Sequence, residues 1–175
     1  MTKIARYLLM LSFVLTGLGS ATAVAGHQLP GRVLRVIDGD TLVLDVRGSL
    51  YQVEIAGIDA PEQNQPWGPA AARELSRWVG GTFVVVDADS VDATNVSGTI
   101  QVKRRDLGLD LVASGLAWSL FRSDRDALQP AHRPHPYELA EQEARAAKRG
   151  LWSDEAPVPP WRWRRPGWLQ LSPSP

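Results

Sequence analysis

Between Val33 and Ile58 the chain runs through three β-branched, strand-like stretches broken only by Asp38-Gly39 and by Arg47-Gly48-Ser49. Val33 to Ile37 and Thr41 to Val46 flank the first break and read as a hairpin. The third stretch, Leu50 to Ile58, alternates Tyr51, Val53 and Ile55 with Gln52, Glu54 and Ala56, so one face is apolar and the other polar. The period then changes. From Pro66 to Val79, Ala71, Leu75, Trp78 and Val79 fall on one helical face, Pro69 suits a first turn, and Gly80-Gly81 ends the helix. Thr82 to Ala88 is a fourth strand and Ser97 to Arg104 a fifth, with Ile100 and Val102 on one face. Three strands, a helix and two strands in that order predict an α+β protein built on a five-stranded barrel of the OB type.

Two further helices are expected beneath that barrel. Asp106 can cap one running through Ala117, with Leu107, Leu111 and Val112 buried. The other runs from Pro136 to Arg149, acidic at its start (Glu138, Glu141) and basic at its end (Arg145, Lys148, Arg149), which matches the helix dipole; Gly150 ends it. Residues 122–135 read as a polar loop, and the Pro-, Trp- and Arg-rich stretch 155–175 as an extended tail.

Chemistry concentrates in two acidic clusters, Asp38-Gly39-Asp40-Thr41 and Asp59-Ala60-Pro61-Glu62, each at the end of a strand-like run. Placed so, the two can converge on one ligand. Several carboxylates brought together repel unless a cation lies between them, and oxygen donors without Cys or a nearby His favour a hard ion such as Ca²⁺. A carboxylate cluster around such an ion is suited to attack on a phosphodiester. Asp-Gly pairs are also common turn formers, so one cluster alone reads as an acidic turn; the second cluster, at matching spacing, favours the ion.

The first residues carry an export pattern. Lys3 and Arg6 precede an apolar stretch from Tyr7 to Leu15, and small residues follow, ending in Ala21-Thr22-Ala23 and Ala23-Val24-Ala25. Residues 1–25 are therefore expected to be a signal peptide, residues 26–154 the folded domain, and the product a secreted or periplasmic monomer with no stable membrane insertion. Gly17, Gly19, Ser20 and Thr22 interrupt the apolar run before it could span a bilayer. The chain has 19 Lys and Arg against 19 Asp and Glu, so losing Lys3 and Arg6 leaves 17 against 19, a net charge of −2. That balance argues against a general polyanion binder, and any attraction for nucleic acid has to be local. With no cysteine there is neither a disulfide nor a thiol nucleophile.

Val36-Ile37-Asp38-Gly39-Asp40-Thr41, Gly57-Ile58-Asp59-Ala60-Pro61-Glu62, Gly115-Leu116-Ala117-Trp118 and Gly150-Leu151-Trp152 together resemble the staphylococcal nuclease (thermonuclease-like) family, in order from about Gly31 to Trp152. Pro159-Pro160-Trp161-Arg162-Trp163-Arg164-Arg165 is similar to the tail of many exported bacterial members. The resemblance implies an OB-fold, a Ca²⁺ ion and hydrolysis of DNA and RNA. It implies that Asp40 and Asp59 hold the cation by carboxylate and Ala60 by its main-chain carbonyl. Glu62 then orients or deprotonates the attacking water, with Asp38 and Thr41 in support. Active members also place two arginines on the scissile phosphate. One lies five residues before the second metal aspartate, where this chain has Glu54; counting back without gaps from Asp106 puts Asn95 at the other. Losing one such donor costs on the order of 3 kcal/mol of transition-state stabilisation. The resemblance thus implies a weakened nuclease, and Arg35, Arg47, Arg104 and Arg105 are the candidates for replacing the lost charge.

Smaller signals are weighed beside these. His132 and His135 have a ligand-like spacing, but Pro134 and Pro136 favour a solvated loop. Trp161, Trp163 and Trp168, interleaved with Arg162, Arg164 and Arg165, could stack on bases; indoles packed over the barrel are the favoured reading. Phe121 could stack on a base or serve as a rim aromatic, and Asn95-Val96-Ser97 is a sequon of little weight. The rival to an enzyme is a non-catalytic OB module with a vestigial cation site, binding nucleic acid, protein or an envelope component; a cation site of purely structural value is the third.

Overall fold

The computed structural model describes residues 27–121 and 134–165. In chain order the elements are β1 (His27–Val36), β2 (Thr41–Val46), β3 (Ser49–Ile55), β4 (Ile58–Asp59), α1 (Gly68–Val79), β5 (Phe83–Asp92), β6 (Asn95–Val102), β7 (Arg105–Asp106), α2 (Leu107–Ala113), β8 (Trp118–Ser119), α3 (Pro136–Ala146), a 3-10 turn (Gly150–Ser153) and α4 (Pro160–Trp163). Five long strands close on themselves. β1 pairs antiparallel with β2 and with β5, β2 with β3, and β5 with β6, and the parallel pairing of β3 with β6 seals the ring. This is the five-stranded OB-type barrel expected from the order of periodicities.

The period-2 apolar positions supply its interior. Leu42 and Leu44, Val53 and Ile55, Val84 and Val86, and Val96 and Ile100 are buried between more exposed neighbours. Each such side chain taken out of water contributes about 1.5–3 kcal/mol. α1 lays Ala71, Leu75 and Val79 on the same core, as its helical face requires. Asp106 caps α2 by accepting from the Leu109 N–H at 3.1 Å, and the Tyr137 hydroxyl donates to both oxygens of that carboxylate, at 2.7 and 2.8 Å. One side chain therefore ties α2 to α3.

Several boundaries differ from expectation, each for a local reason. β1 begins at His27 because residues 27–32 pair with β5. The third strand stops at Ile55: Gly57, at φ +79°, turns the chain, and Ile58 and Asp59 pair instead with β8. The fifth strand begins at Asn95, so the sequon lies in the sheet, paired with β3 and β5. α2 ends at Ala113 and not Ala117, since Gly115 takes φ +69° and a Cβ there would collide with the Arg149 carbonyl. The described part of the tail is not extended throughout: Pro160–Trp163 form a fourth short helix, and Trp161 packs edge-on against Trp118 with centroids 6.1 Å apart. The favoured reading of the indoles holds for Trp161. The expected signal segment, His132 and Trp168 lie outside the described residues, among which no helix is long and apolar enough to cross a membrane.

Candidate active site

The first acidic cluster is a turn that folds its carboxylates inward. Asp38 Oδ1 accepts from the N–H groups of Asp40 (3.1 Å) and Thr41 (2.8 Å), which fixes the bend between β1 and β2. Asp40 is buried and points across to the second cluster. Its Oδ1 accepts from the Thr41 hydroxyl at 3.0 Å and its Oδ2 from the Ala60 N–H at 2.6 Å. The two clusters, twenty residues apart in the chain, are thus joined by one carboxylate. Gly39 permits this approach, since a Cβ there would lie 2.6 Å from the Cβ atoms of both Ala60 and Ala71.

Asp59 is held by β4, opposite Trp118 of β8. Glu62 follows in a tight turn whose N–H donates to Gln65 Oε1 at 3.2 Å, while Gln65 N–H returns a bond to the Glu62 carbonyl at 2.8 Å. A Cβ at Gly68 would land on that same carbonyl, so the start of α1 is seated directly on the Glu62 turn. Asp59 and Glu62 converge on one cation, the guanidinium of Arg164. Its Nη2 donates to Asp59 Oδ2 at 2.7 Å, and its Nη1 to Asp59 Oδ1 at 3.3 Å and Glu62 Oε1 at 2.7 Å.

The electrostatics reflect acids gathered at a partly dry rim. Burial pushes the Asp40 carboxyl up to about 8, against the lowering effect of the Ala60 N–H and with a further push from Asp38. Burial also raises Asp59, outweighing Arg164, with Glu62 and Glu54 adding to the rise. Arg164 is pulled down by partial burial, but Asp59 and Glu62 win and hold it above its ordinary value.

Glu54 and Asn95 occupy neighbouring strands and line one open cleft of about 240 Å³ with Gln52, Ser90, Asp92, Val96 and Ser97. Among the described residues no basic side chain lines it. Of the expected substitutes, Arg105 is committed elsewhere, paired with Asp110 at 2.8 Å and lying 5.4 Å over the Trp78 ring. His135 serves the fold: its Nδ1 caps α3 by accepting from the Tyr137 N–H, and its ring stacks on Phe121 at 3.6 Å. Phe121 stays partly exposed beside it.

Sequence reasoning missed Arg164 and Gln65. Gln65 is buried and joins the Glu62 turn to the tail by donating to the Val158 carbonyl. The available signal was the tail itself, where Pro159-Pro160 starts a helix whose next turn delivers Arg164.

Residues 52–154 match the family profile described as staphylococcal nuclease homologue. The chain belongs to this family. Proteins similar to it include an Escherichia coli protein called Protein ParB, 36% identical over 151 residues that cover 81% of this chain and 82% of the relative. An uncharacterized endonuclease of E. coli is 35% identical over 140 residues, 78% of this chain and 86% of that one. The micrococcal nuclease of Shigella flexneri is 32% identical over 147 residues, 77% and 80% respectively. Among the described residues no three acidic or histidine side chains stand together as a ready metal cage. The donor chemistry nonetheless fits a hard divalent cation in this staphylococcal nuclease homologue: Asp40, Asp59 and the Ala60 carbonyl offer only oxygens, and the rim already attracts a cation in the form of Arg164.

Proposed function

We propose that this protein is an exported nuclease that hydrolyses DNA or RNA phosphodiester bonds with Ca²⁺, at a rate lowered by the absence of arginine from positions 54 and 95. The observation that carries this reading is the convergence of Asp59 and Glu62 on one guanidinium, beside the Asp40 to Ala60 link. Asp40, Asp59 and the Ala60 carbonyl would hold the cation, whose chemistry is to polarise the phosphate and stabilise its added charge. Asp38 and Thr41 support that set by fixing the turn and by orienting Asp40. Glu62 takes a proton from the attacking water as its oxygen bonds to phosphorus; the ester P–O bond breaks and the leaving oxygen is protonated from solvent. Glu54, exposed on the barrel rim, places a negative charge where a phosphate has to dock, which slows the reaction.

Incubation of the protein with single-stranded DNA and Ca²⁺ tests this. Cleavage is expected, abolished by Glu62→Gln and raised on the order of tenfold or more by the Glu54→Arg, Asn95→Arg double variant. The acidic cleft favours one alternative, a non-catalytic OB module with a vestigial site. It would be supported by DNA binding without cleavage in the wild type and cleavage only after both arginines are restored.

A further inference from the structure

Arg164 sits where a simple surface ion pair has little reason to be. Its side chain is 52% exposed while that of its partner Asp59 is only 11% exposed, and the segment that carries it is anchored three ways. Trp161 packs on Trp118, the Trp163 indole N–H donates to Asn64 Oδ1 at 3.2 Å, and buried Gln65 grips the Val158 carbonyl. These contacts fix the guanidinium at Glu62, the residue read above as the base. The cleft lined by Glu54 and Asn95 meanwhile offers a phosphate no positive charge from the described residues.

We propose that Arg164 is the phosphate-binding arginine of this enzyme, supplied by the C-terminal segment in place of the guanidinium groups absent from positions 54 and 95. The inference rests on the phosphodiesterase reading. A guanidinium has five donors in a planar fork suited to two phosphate oxygens, whereas its two Nη atoms are shared here between two carboxylates. Both bonds to Asp59 are ones a cation on Asp59 would replace, and the bond to Glu62 keeps the group beside the attacked phosphorus. Its open side faces solvent, from which a polynucleotide can approach. A phosphodiester gains charge in the transition state, so a donor fixed there lowers the barrier and also tightens ground-state binding.

The test compares the full chain with Arg164→Ala, Arg164→Lys and the neighbouring Arg165→Ala. Cleavage of single-stranded DNA with Ca²⁺ is followed, and binding of a short single-stranded oligonucleotide is read separately by fluorescence anisotropy. Arg164→Ala is expected to lower kcat on the order of a hundredfold and to weaken oligonucleotide binding about tenfold. Arg164→Lys should recover part of the binding and little of the rate, because an ammonium cannot engage two oxygens in a plane. Arg165→Ala should match the wild type. Unchanged or faster cleavage by Arg164→Ala would overturn the proposal, the second outcome making the tail a plug. An equal loss in Arg165→Ala would overturn it too, by reducing the effect to general tail charge. A wild type that binds DNA without cutting it leaves anisotropy to decide, and an unchanged Kd in Arg164→Ala then sinks it. A wild type that neither cuts nor binds DNA ends the phosphodiesterase reading itself.

Discussion

At the scale of single residues, the site depends on how closely two turns approach. Gly39 is the point of closest contact, with the methyl groups of Ala60 and Ala71 where its own Cβ would be. Neither methyl can rotate away, so Gly39→Ala has to separate the turns, at a cost of about 1–3 kcal/mol typical of overpacking. Urea denaturation should show that loss. The same variant should lengthen the Asp40 to Ala60 bond and weaken cation binding, a pairing of effects that a loop merely tolerant of glycine would not produce. The motif strings announced Asp38, Asp40, Asp59 and Glu62, but not this contact. A glycine's need for space depends on residues twenty or more positions away, which no local pattern records.

At the scale of elements, the register of β2, β3 and β6 sets what the site lacks. Glu54 stands opposite Thr41 on one side and Ser97 on the other, and Asn95 opens β6 opposite Gln52. The two substituted positions therefore open on one cleft. The helices below have one shared fastening, Asp106. Its carboxylate caps α2 and accepts the Tyr137 hydroxyl of α3. Asp106→Ala removes the cap, worth about 1 kcal/mol, and orphans a buried hydroxyl, worth about 1–3 kcal/mol more. Tyr137→Phe should cost less than Asp106→Ala, and the double variant should cost less than the sum, read from chemical denaturation of all four proteins. Simple additivity would show that the two helices are not coupled through this carboxylate.

At the scale of the whole molecule, the barrel was legible from the order of its elements and from the alternation of the third strand, where Val53 and Ile55 face in while Gln52 and Glu54 face out. The placement of residues 155–165 was not, because it is decided by Trp118, Asn64 and Gln65, each remote in sequence from the tail they hold. This arrangement makes the cation and the tail rivals for Asp59, and thermal melts can read the rivalry. A ligand at a hundred times its Kd stabilises by about 2.7 kcal/mol, which for a domain of this size raises Tm by roughly 10 °C. Ca²⁺ is therefore expected to raise Tm in the wild type, and Asp40→Asn or Asp59→Asn to remove the rise. Arg164→Ala should enlarge it, because the acids then lose their internal counter-charge and the ion displaces nothing. No response to Ca²⁺ or any other divalent ion would leave Asp40 as a carboxylate that only fastens two turns, and Asp59 as the seat of Arg164.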